Sequence, residues 1–314
     1  MTDNSVSPFL SKQGQTVIEL ARLLLSREPG EELERVHNYA SRFGVGVGTV
    51  QSALRYIQDV GAVKLHTKGH LGTFIGEIDF RLLWAITGQE YMVGTMPLPY
   101  SRRYEGLATG LHETFKQAEV GLNLMYSRGS RNRLRALPDG ECDFVVLSRF
   151  ALAAALRGGL EIEEVMGLGM ETYVGQHIIL LRDHSKTQIE DGMRVGLDPQ
   201  SIDQAELTRE ACRGKNVQFV ETSYMHLANA LQRGELDAAV WNGDDFATPS
   251  AYFKTVPLSF LDDSTGLMGG NTEAVVVIDR SQQHLKNLLR SVIDIPLVRS
   301  VQRQVMEGKL FPAY

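Results

Sequence analysis

A ten-residue pattern that occurs twice constrains the fold of this chain more than any other feature of its sequence. The copies are LPDGECDFVV, which begins at Leu137, and LQRGELDAAV, which begins at Leu231. In each copy the leucine closes a helix on the core, the glycine allows a left-handed stop, and the aspartate starts a short buried strand. Because Asp143 and Asp237 are 94 positions apart, the period is too long for a solenoid and indicates two similar α/β lobes.

Strand-like segments alternate with helical segments after residue 90, which is typical of a parallel α/β sheet. We expect the chain to cross between the lobes near Gly175 and again near Gly269-Gly270, and a short helix at Asp79–Thr87 to join this region to the preceding part. The predicted strands are Tyr91–Met96, Val120–Tyr126, Phe144–Leu147, Val174–Leu181, Arg194–Leu197, Val217–Glu221, Ala238–Trp241 and Ala274–Ile278.

The preceding part of the chain has a helical pattern that ends in two short apolar runs. Two helices joined by a tight turn and followed by a β-hairpin form a winged helix-turn-helix, which is an α+β DNA-binding motif. The predicted elements are a helix from Lys12 to the stop at Pro29-Gly30, helices at about Leu33–Arg42 and Gly48–Val60, and strands at Ala62–Leu65 and Thr73–Ile75.

The stretch from Arg35 to Ile75 resembles the DNA-binding domain of the GntR family. The residues that carry the resemblance are Ala40, Arg42-Phe43-Gly44-Val45, Thr49-Val50, Ala53-Leu54, Gly61 and the wing from Gly69 to Phe74. The chain departs from the family at the start of the recognition helix, where the usual Ser-Arg-Thr-Thr-Val-Arg is replaced by Gly46-Val-Gly-Thr-Val-Gln51. Two arginines that would read bases or phosphates are therefore missing.

Other residues of this segment are candidates for DNA contact. The Gln51 amide has the donor and acceptor that pair with an adenine edge, and Thr49 lies where a helix N-terminus favours a phosphate. From Arg35 to Gly76 five basic residues oppose Asp59 alone, which gives a local charge of +4. The candidate DNA-binding residues are Arg42, Thr49, Gln51, Arg55, Lys64, Lys68, Gly69 and His70.

Composition agrees with a cytoplasmic protein of two domains. The length of 314 residues fits two domains, with an expected division into residues 1–78 and 79–314. The net charge of −6, from 32 Lys+Arg and 38 Asp+Glu, would argue against a nucleic-acid binder only if it were spread evenly. Cys142 and Cys212 have no metal-ligand spacing, and we expect no cofactor, signal peptide or membrane span.

Two lobes with the chain crossing between them resemble the type 2 periplasmic-binding-protein fold. Such a domain after a GntR-like winged helix resembles the YhfZ family of predicted transcriptional regulators over nearly all of residues 10–314. The resemblance implies that a small molecule binds between the lobes, at the carboxyl ends of the strands. It does not imply which molecule.

The loops at these strand ends contain the candidate ligand-binding residues. Arginine with serine and glycine is suited to a carboxylate or a phosphate, and Arg128 and Arg131 fit an anion site or a solvated turn equally well. Arg133 and Arg135, on the following helix, are assigned to a solvated surface. The full set is Ser101, Arg102, Ser127, Arg128, Ser130, Arg131, Ser148, Ser201, Ser223, Tyr224, Trp241, Asn242 and Asp244.

Acidic residues concentrate on the lobe-two side of the expected cleft. A ligand with an amine beside its anionic group would suit this asymmetry, although the same acids also serve as helix caps. Tyr224 and Trp241 fit an apolar wall or the core. The acids are Asp198, Asp203, Glu221, Asp244 and Asp245.

The sequence therefore predicts a ligand-responsive, DNA-binding transcriptional regulator. We expect a homodimer on a palindromic operator, a small anionic effector between the lobes, and no catalytic activity, because no catalytic motif is present. The alternative is a sensory or binding protein whose winged helix serves dimerisation and does not read DNA.

Overall fold

The computed structural model describes residues 10–245, 252–258 and 271–314. The chain divides into two units. The first comprises the chain up to Met92 with segments 115–121 and 281–293, and the second comprises the remainder. The first unit thus includes the helix predicted at Asp79–Thr87, while the division expected at residue 78 stays a prediction. The crossing expected near Gly269-Gly270 lies outside the described residues.

The first unit is built on a helix-turn-helix. Its core contains Leu20 and Leu24 of the first helix, Val50 and Ile57 of the third, and Trp84. Gly44, in the left-handed conformation with φ 64°, makes the turn between the second and third helices. The elements are α1 (Lys12–Leu25), α2 (Val36–Phe43), α3 (Val47–Asp59), β1 (Val63–Thr67), β2 (Thr73–Ile78) and α4 (Phe80–Ile86), with α10 (Gln283–Val292) packed on α1 and α4.

The start of helix α2 differs from the expectation. Helix α2 begins at Val36 and not near Leu33, because the residues before it pair with the wing. The Leu33 amide donates to the Thr73 carbonyl (2.7 Å), and the Ile75 amide donates to the Glu31 carbonyl (2.9 Å). The segment from Glu31 to Leu33 therefore pairs with β2 and lies as a short extended segment beside the antiparallel pair β1–β2.

The second unit contains two lobes with five-stranded sheets of equivalent topology. In lobe one the order is β4-β3-β5-β12-β6, and in lobe two it is β9-β8-β10-β7-β11. The strands are β3 (Tyr91–Met96), β4 (Gly121–Tyr126), β5 (Phe144–Ser148), β6 (Ile162–Gly167), β7 (His177–Leu181), β8 (Arg194–Leu197), β9 (Gln218–Glu221), β10 (Ala238–Asn242), β11 (Lys254–Pro257) and β12 (Ala274–Asp279); the helices are α5 (Arg102–Gln117), α6 (Ser130–Arg135), α7 (Arg149–Arg157), α8 (Ile202–Ala211), α9 (Leu227–Gln232) and α11 (Ile295–Met306).

The two copies of the repeated pattern form the same corner. The Asp143 carboxylate accepts a hydrogen bond from the Val93 amide (2.7 Å), and the Asp237 carboxylate accepts one from the Arg194 amide (2.9 Å). In return each aspartate amide donates to the carbonyl of the same partner residue, at 2.7 and 2.8 Å. Each aspartate thereby fixes the start of its strand against the neighbouring parallel strand, which is β3 in lobe one and β8 in lobe two.

The sheets are mixed, so the expectation of a parallel sheet was wrong for part of each lobe. Strand β12 runs antiparallel to β5 and β6, and β7 runs antiparallel to β10 and β11. The prediction missed β6 because Glu163 and Glu164 interrupt its apolar pattern, and missed β11 because it has four residues and ends at Pro257. Strand β7 begins at His177 because the Gly175 amide donates to Asp244 (3.0 Å).

Candidate effector cavity and DNA-reading surface

A small cavity lies within the second unit, between lobe one and lobe two. Its volume is about 50 Å³, which is room for a few water molecules. The loops after β3, β4, β8 and β9 contribute its walls, as the fold places them at the carboxyl ends of the strands. Of the candidate ligand residues, those that line it are Ser127, Arg128, Ser130, Ser201, Tyr224 and Asn242.

Arg133 of α6 is buried in the wall of this cavity, so its assignment to a solvated surface was wrong. Its side chain is on the inner face of the short helix, and the residue is 3% exposed, whereas Arg135 is exposed as expected. Arg133 donates from Nη1 to the Ser127 carbonyl (2.9 Å) and from Nη2 to the Tyr173 hydroxyl (2.9 Å). Its Nε is buried and donates to no atom of the described chain.

Asn242, at the end of β10, presents a second buried donor to the same cavity. Its Oδ1 accepts from the Asp244 amide (2.9 Å), which identifies the other side-chain atom as the NH₂ group. That Nδ2 is buried and has no hydrogen-bond partner among the described residues. The Asn242 amide donates to the Tyr224 hydroxyl (2.7 Å), which fixes Tyr224 against the strand end.

Asp203, near the start of α8, lines the cavity from lobe two. It accepts a hydrogen bond from the Ser148 hydroxyl, which also caps α7 by accepting from the Ala151 amide (2.9 Å). Burial raises the pKa of the Asp203 carboxyl to about 6, against the opposing effects of Ser148 and the Arg133 charge. At neutral pH the carboxyl is therefore mostly ionised, although little solvent reaches it.

Four tyrosines surround these polar groups, and one of them, Tyr224, was a candidate ligand residue from the sequence. The rings form a continuous series in which neighbouring centroids lie 5.2 to 5.4 Å apart. Burial raises the pKa of the Tyr104 and Tyr173 hydroxyls, so both stay neutral. The residues of the series are Tyr173, Tyr104, Tyr100 and Tyr224 in that order, and all four line the cavity.

Other polar residues also belong to the wall, among them Asp198, which the sequence placed among the acids of the cleft. Asp198 caps the turn after β8, because its carboxylate accepts from the amides of Gln200 (2.9 Å) and Tyr224 (2.8 Å). Burial lowers the pKa of His177 to about 4, so this imidazole is neutral at physiological pH. Gln204 donates from Nε2 to the Gly196 carbonyl (3.1 Å).

Three predicted ligand residues instead hold elements together behind the cavity. Ser101 is buried and accepts from the Tyr104 amide (3.3 Å) at the start of α5. Ser148 bonds Asp203 as described above. Trp241 is buried and stacks on Tyr224 with ring centroids 4.3 Å apart, so it supports the aromatic wall from outside.

The remaining predicted ligand residues bond protein groups around the cavity. Asp244 makes a two-point ion pair with Arg103 (2.8 and 3.0 Å). Arg131 donates to the Pro199 carbonyl (3.1 Å), and Arg102 donates to the Val305 carbonyl (3.5 Å). Ser223 accepts a hydrogen bond from Arg128. The Arg103–Asp244 and Arg128–Ser223 contacts join lobe one to lobe two.

In the first unit, α3 and the wing border a groove of about 630 Å³. Gln51 and Arg55 lie one helical turn apart on the exposed face of α3 and line this groove with Gly69 and His70 of the wing. Thr49 is half-buried near the start of α3. Four of the eight candidate DNA residues therefore share one surface.

The other basic candidates are engaged with neighbouring side chains. Arg42 pairs with Glu34 (3.0 Å), and Lys64 pairs with Glu77 (2.5 Å) across the wing strands. Lys68 lies over the ring of Phe74, with 4.5 Å from Nζ to the ring centroid. The local positive charge is therefore partly neutralised, which the count over Arg35–Gly76 did not show because it stopped short of both acids.

Comparison with known proteins places the chain in a family. Residues 79–314 match the family model described as the YhfZ C-terminal domain, and residues 28–75 match a helix-turn-helix domain. The chain is 32% identical over 311 residues to the uncharacterized protein YhfZ of Escherichia coli K12, a match that covers 98% of this chain and 99% of that protein. The chain belongs to the YhfZ family. The GntR resemblance within the helix-turn-helix stays a prediction.

Solved structures agree with the YhfZ assignment. The crystal structure of YhfZ from Shigella flexneri superposes with a TM-score of 0.62 at 31% identity, over 75% of this chain and 98% of that one. A zinc-bound ligand-binding component of an ABC-type import system from Staphylococcus aureus gives 0.50 at 15% identity, over 72% and 81%. The second likeness concerns the fold alone, which is the periplasmic-binding-protein type expected for the two lobes.

Two further findings concern the described part of the chain. None of its helices combines the length and the apolar character that crossing a bilayer requires. Residues 10–245, 252–258 and 271–314 also contain no group of three or more His, Cys, Asp or Glu side chains arranged to hold a metal ion.

Proposed function

We propose that this YhfZ-family chain is a cytoplasmic, DNA-binding transcriptional regulator that responds to a small effector with an anionic group. The helix-turn-helix domain and the binding-protein fold support a regulator that binds a small molecule. The observation that carries the anionic part is Arg133, a buried cation whose partners are two neutral oxygens and whose Nε lacks any partner among the described residues.

A buried charge without a direct ion-pair partner is unfavourable, because desolvation is only partly offset by neutral hydrogen-bond partners. An effector carboxylate or phosphate that enters the cavity would accept from Arg133 Nε and provide the missing negative charge. Asn242 Nδ2 offers a second unpartnered donor from the opposite lobe. One anionic ligand would thus bond lobe one and lobe two together, which is how binding would favour one arrangement of the lobes.

The DNA-reading part of the proposal depends on the exposed face of α3. Gln51 would pair with a base edge in the major groove, Arg55 would contact the backbone, and the wing would lie beside them. A homodimer on a palindromic site is proposed because winged-helix regulators pair two half-sites by symmetry. In this proposal the cavity binds the effector and does not catalyse its conversion.

Thermal stability of the full chain tests the effector site. A panel of small carboxylates, phosphates and amino acids is screened for a rise in Tm, because a ligand that binds only the folded state stabilises it. Arg133→Gln should abolish the rise for any anionic ligand, while the matched Arg135→Gln, two residues away on the surface of α6, should retain it. A rise that survives Arg133→Gln contradicts the proposed anchor.

A second candidate function is supported by the ion pairs of the winged helix. Since Arg42 pairs with Glu34 and Lys64 with Glu77, this domain offers fewer unpaired cations to DNA than its sequence suggested. A sensory or binding protein that uses the winged helix for dimerisation would show weak and equal affinity for any duplex. A regulator would bind DNA from upstream of its own gene specifically, with an affinity that falls steeply as salt increases.

A further inference from the structure

We infer that the effector is a small zwitterion of the amino-acid type, whose anionic group binds Arg133 and whose ammonium group binds Asp203. The inference rests on the proposed function of the same cavity and specifies the chemistry of its ligand. Its observation is that a buried cation and a buried anion line one small cavity from opposite lobes.

The charge of Arg133 acts on Asp203 through space, but the two side chains make no direct hydrogen bond or ion pair with each other. Arg133 of lobe one bonds the Ser127 carbonyl and the Tyr173 hydroxyl, and Asp203 of lobe two bonds the Ser148 hydroxyl. Neither of them makes an ion pair within the described residues. Arg133 is 3% exposed and Asp203 is 7% exposed, so bulk water does little to screen either charge. The cavity therefore presents separate positive and negative ends.

A ligand with one charge would neutralise only one of the two buried groups. A simple carboxylate or phosphate on Arg133 would meet the Asp203 anion in the same enclosed space, where repulsion between like charges is strong. A simple amine on Asp203 would meet the Arg133 cation in the same way. A zwitterion neutralises both groups at once and places each of its charges beside the opposite one.

The remaining wall suits the same ligand. Asn242 Nδ2, which has no partner among the described residues, would donate to the second oxygen of a carboxylate. Tyr100, Tyr104 and Tyr173 also line the cavity, and the face of an aromatic ring attracts an ammonium group through its negative π surface. The volume of about 50 Å³ limits the ligand to few heavy atoms in this arrangement of the lobes.

The test compares matched molecules that differ by one charged group. The full chain is titrated calorimetrically at pH 7.5 with glycine, L-alanine and L-serine, with the acids that lack the amine (acetate, propionate, 3-hydroxypropionate) and with the amines that lack the carboxylate (methylamine, ethylamine, ethanolamine). We expect at least one amino acid to bind about tenfold or more tightly than its acid and its amine. The inference is overturned if an acid binds as tightly as its amino acid, or if no amino acid binds.

One variant and its control test whether Asp203 binds the ammonium group. Asp203→Asn keeps an acceptor for Ser148 and removes the negative charge, so it should weaken the amino acid at least tenfold and leave the acid unchanged or improved. The control is Glu206→Gln, an exposed position on the same helix with its side chain 45% exposed, and it should change neither affinity. Unchanged amino-acid affinity in Asp203→Asn rejects the ammonium site.

The outcomes separate this inference from the proposed function. If acids or inorganic phosphate bind through Arg133 and the amine adds nothing, the anionic effector stands and the zwitterion fails. If no anion and no amino acid binds the wild-type chain, both fail. Neither result depends on the folding of a variant, because both are read from the wild-type protein.

Discussion

Arg133 and Asp203 line one cavity from opposite lobes of the effector domain, both are buried, and they do not pair with each other. Proteins rarely retain two such groups without a direct partner of opposite charge for each. Their arrangement explains why the lobes of this domain would respond to a ligand, since a molecule that bonds both would link the lobes.

The titration of Asp203 predicts a pH-dependent stability of the ligand-free protein. Burial raises the pKa of this carboxyl from its ordinary value of 3.8 to about 6. The folded state therefore binds the proton more tightly than the unfolded state, so stability is favoured at low pH and is lost as pH rises through about 6. The loss reaches about 3 kcal/mol above that pH.

Removing the charge should remove this dependence. Relative to wild type, Asp203→Asn should gain stability between pH 4 and pH 7, and calorimetric Tm measured across this range checks the trend. Glu206→Gln is the control on the same helix. A difference between Asp203→Asn and wild type that stays constant with pH would show that Asp203 does not titrate in this range.

The ion pair between Arg103 and Asp244 should contribute strongly to the stability of the two-lobed domain. Both side chains are largely buried, with 10% and 14% of their surfaces exposed, and Asp244 also accepts from the Gly175 amide. Asp244→Asn leaves the Arg103 charge buried and should lower the free energy of unfolding by about 3 kcal/mol. Guanidinium denaturation at pH 7 measures the loss.

An exposed ion pair supplies the comparison for that experiment. Arg233 and Glu235 pair at 2.8 Å with more than half of each side chain exposed. Glu235→Gln should change stability by less than about 0.5 kcal/mol. Equal effects of Asp244→Asn and Glu235→Gln would mean that the buried contact between the lobes does not stabilise the domain.

The exposed face of α3 predicts two distinct effects on DNA binding. Gln51→Ala should reduce discrimination at one base pair by about 1 to 3 kcal/mol. Arg55→Gln should weaken binding to all duplexes. It should also reduce the slope of the logarithm of affinity against the logarithm of salt concentration by about one. Fluorescence anisotropy over a range of salt concentrations separates the two. Arg157→Gln, on an exposed position of α7, is the control, and the surface is rejected if all three variants bind like wild type.

The sequence predicted the lobes well because the repeated pattern is a local signal. Its aspartates mark strand starts whatever the rest of the chain does, and both make the same two-way hydrogen bonds with the equivalent neighbouring strand, β3 or β8. The order and direction of the strands were harder to predict from the sequence. Whether β12 runs antiparallel to β5 depends on where the chain returns from the other lobe, and no local pattern records that.

The site was predicted in part, for a similar reason. Ser127, Ser130 and Asn242 follow strands, so the rule about strand ends found them. Arg133 was misassigned because α6 has six residues, too few for periodicity to show which face is buried. Tyr104 and Tyr173 come from distant segments and meet only in the folded domain, and their sequence contexts give no sign of it.

The most direct test of the account is the effect of the effector on DNA affinity. The full chain is titrated onto DNA from upstream of its own gene, at one salt concentration, with and without a saturating amount of the molecule that most raises its Tm. We predict a change in DNA affinity of at least about fivefold that is lost in Arg133→Gln and retained in Arg135→Gln. Specific DNA binding that is identical with and without a ligand known to occupy the cavity would contradict the account.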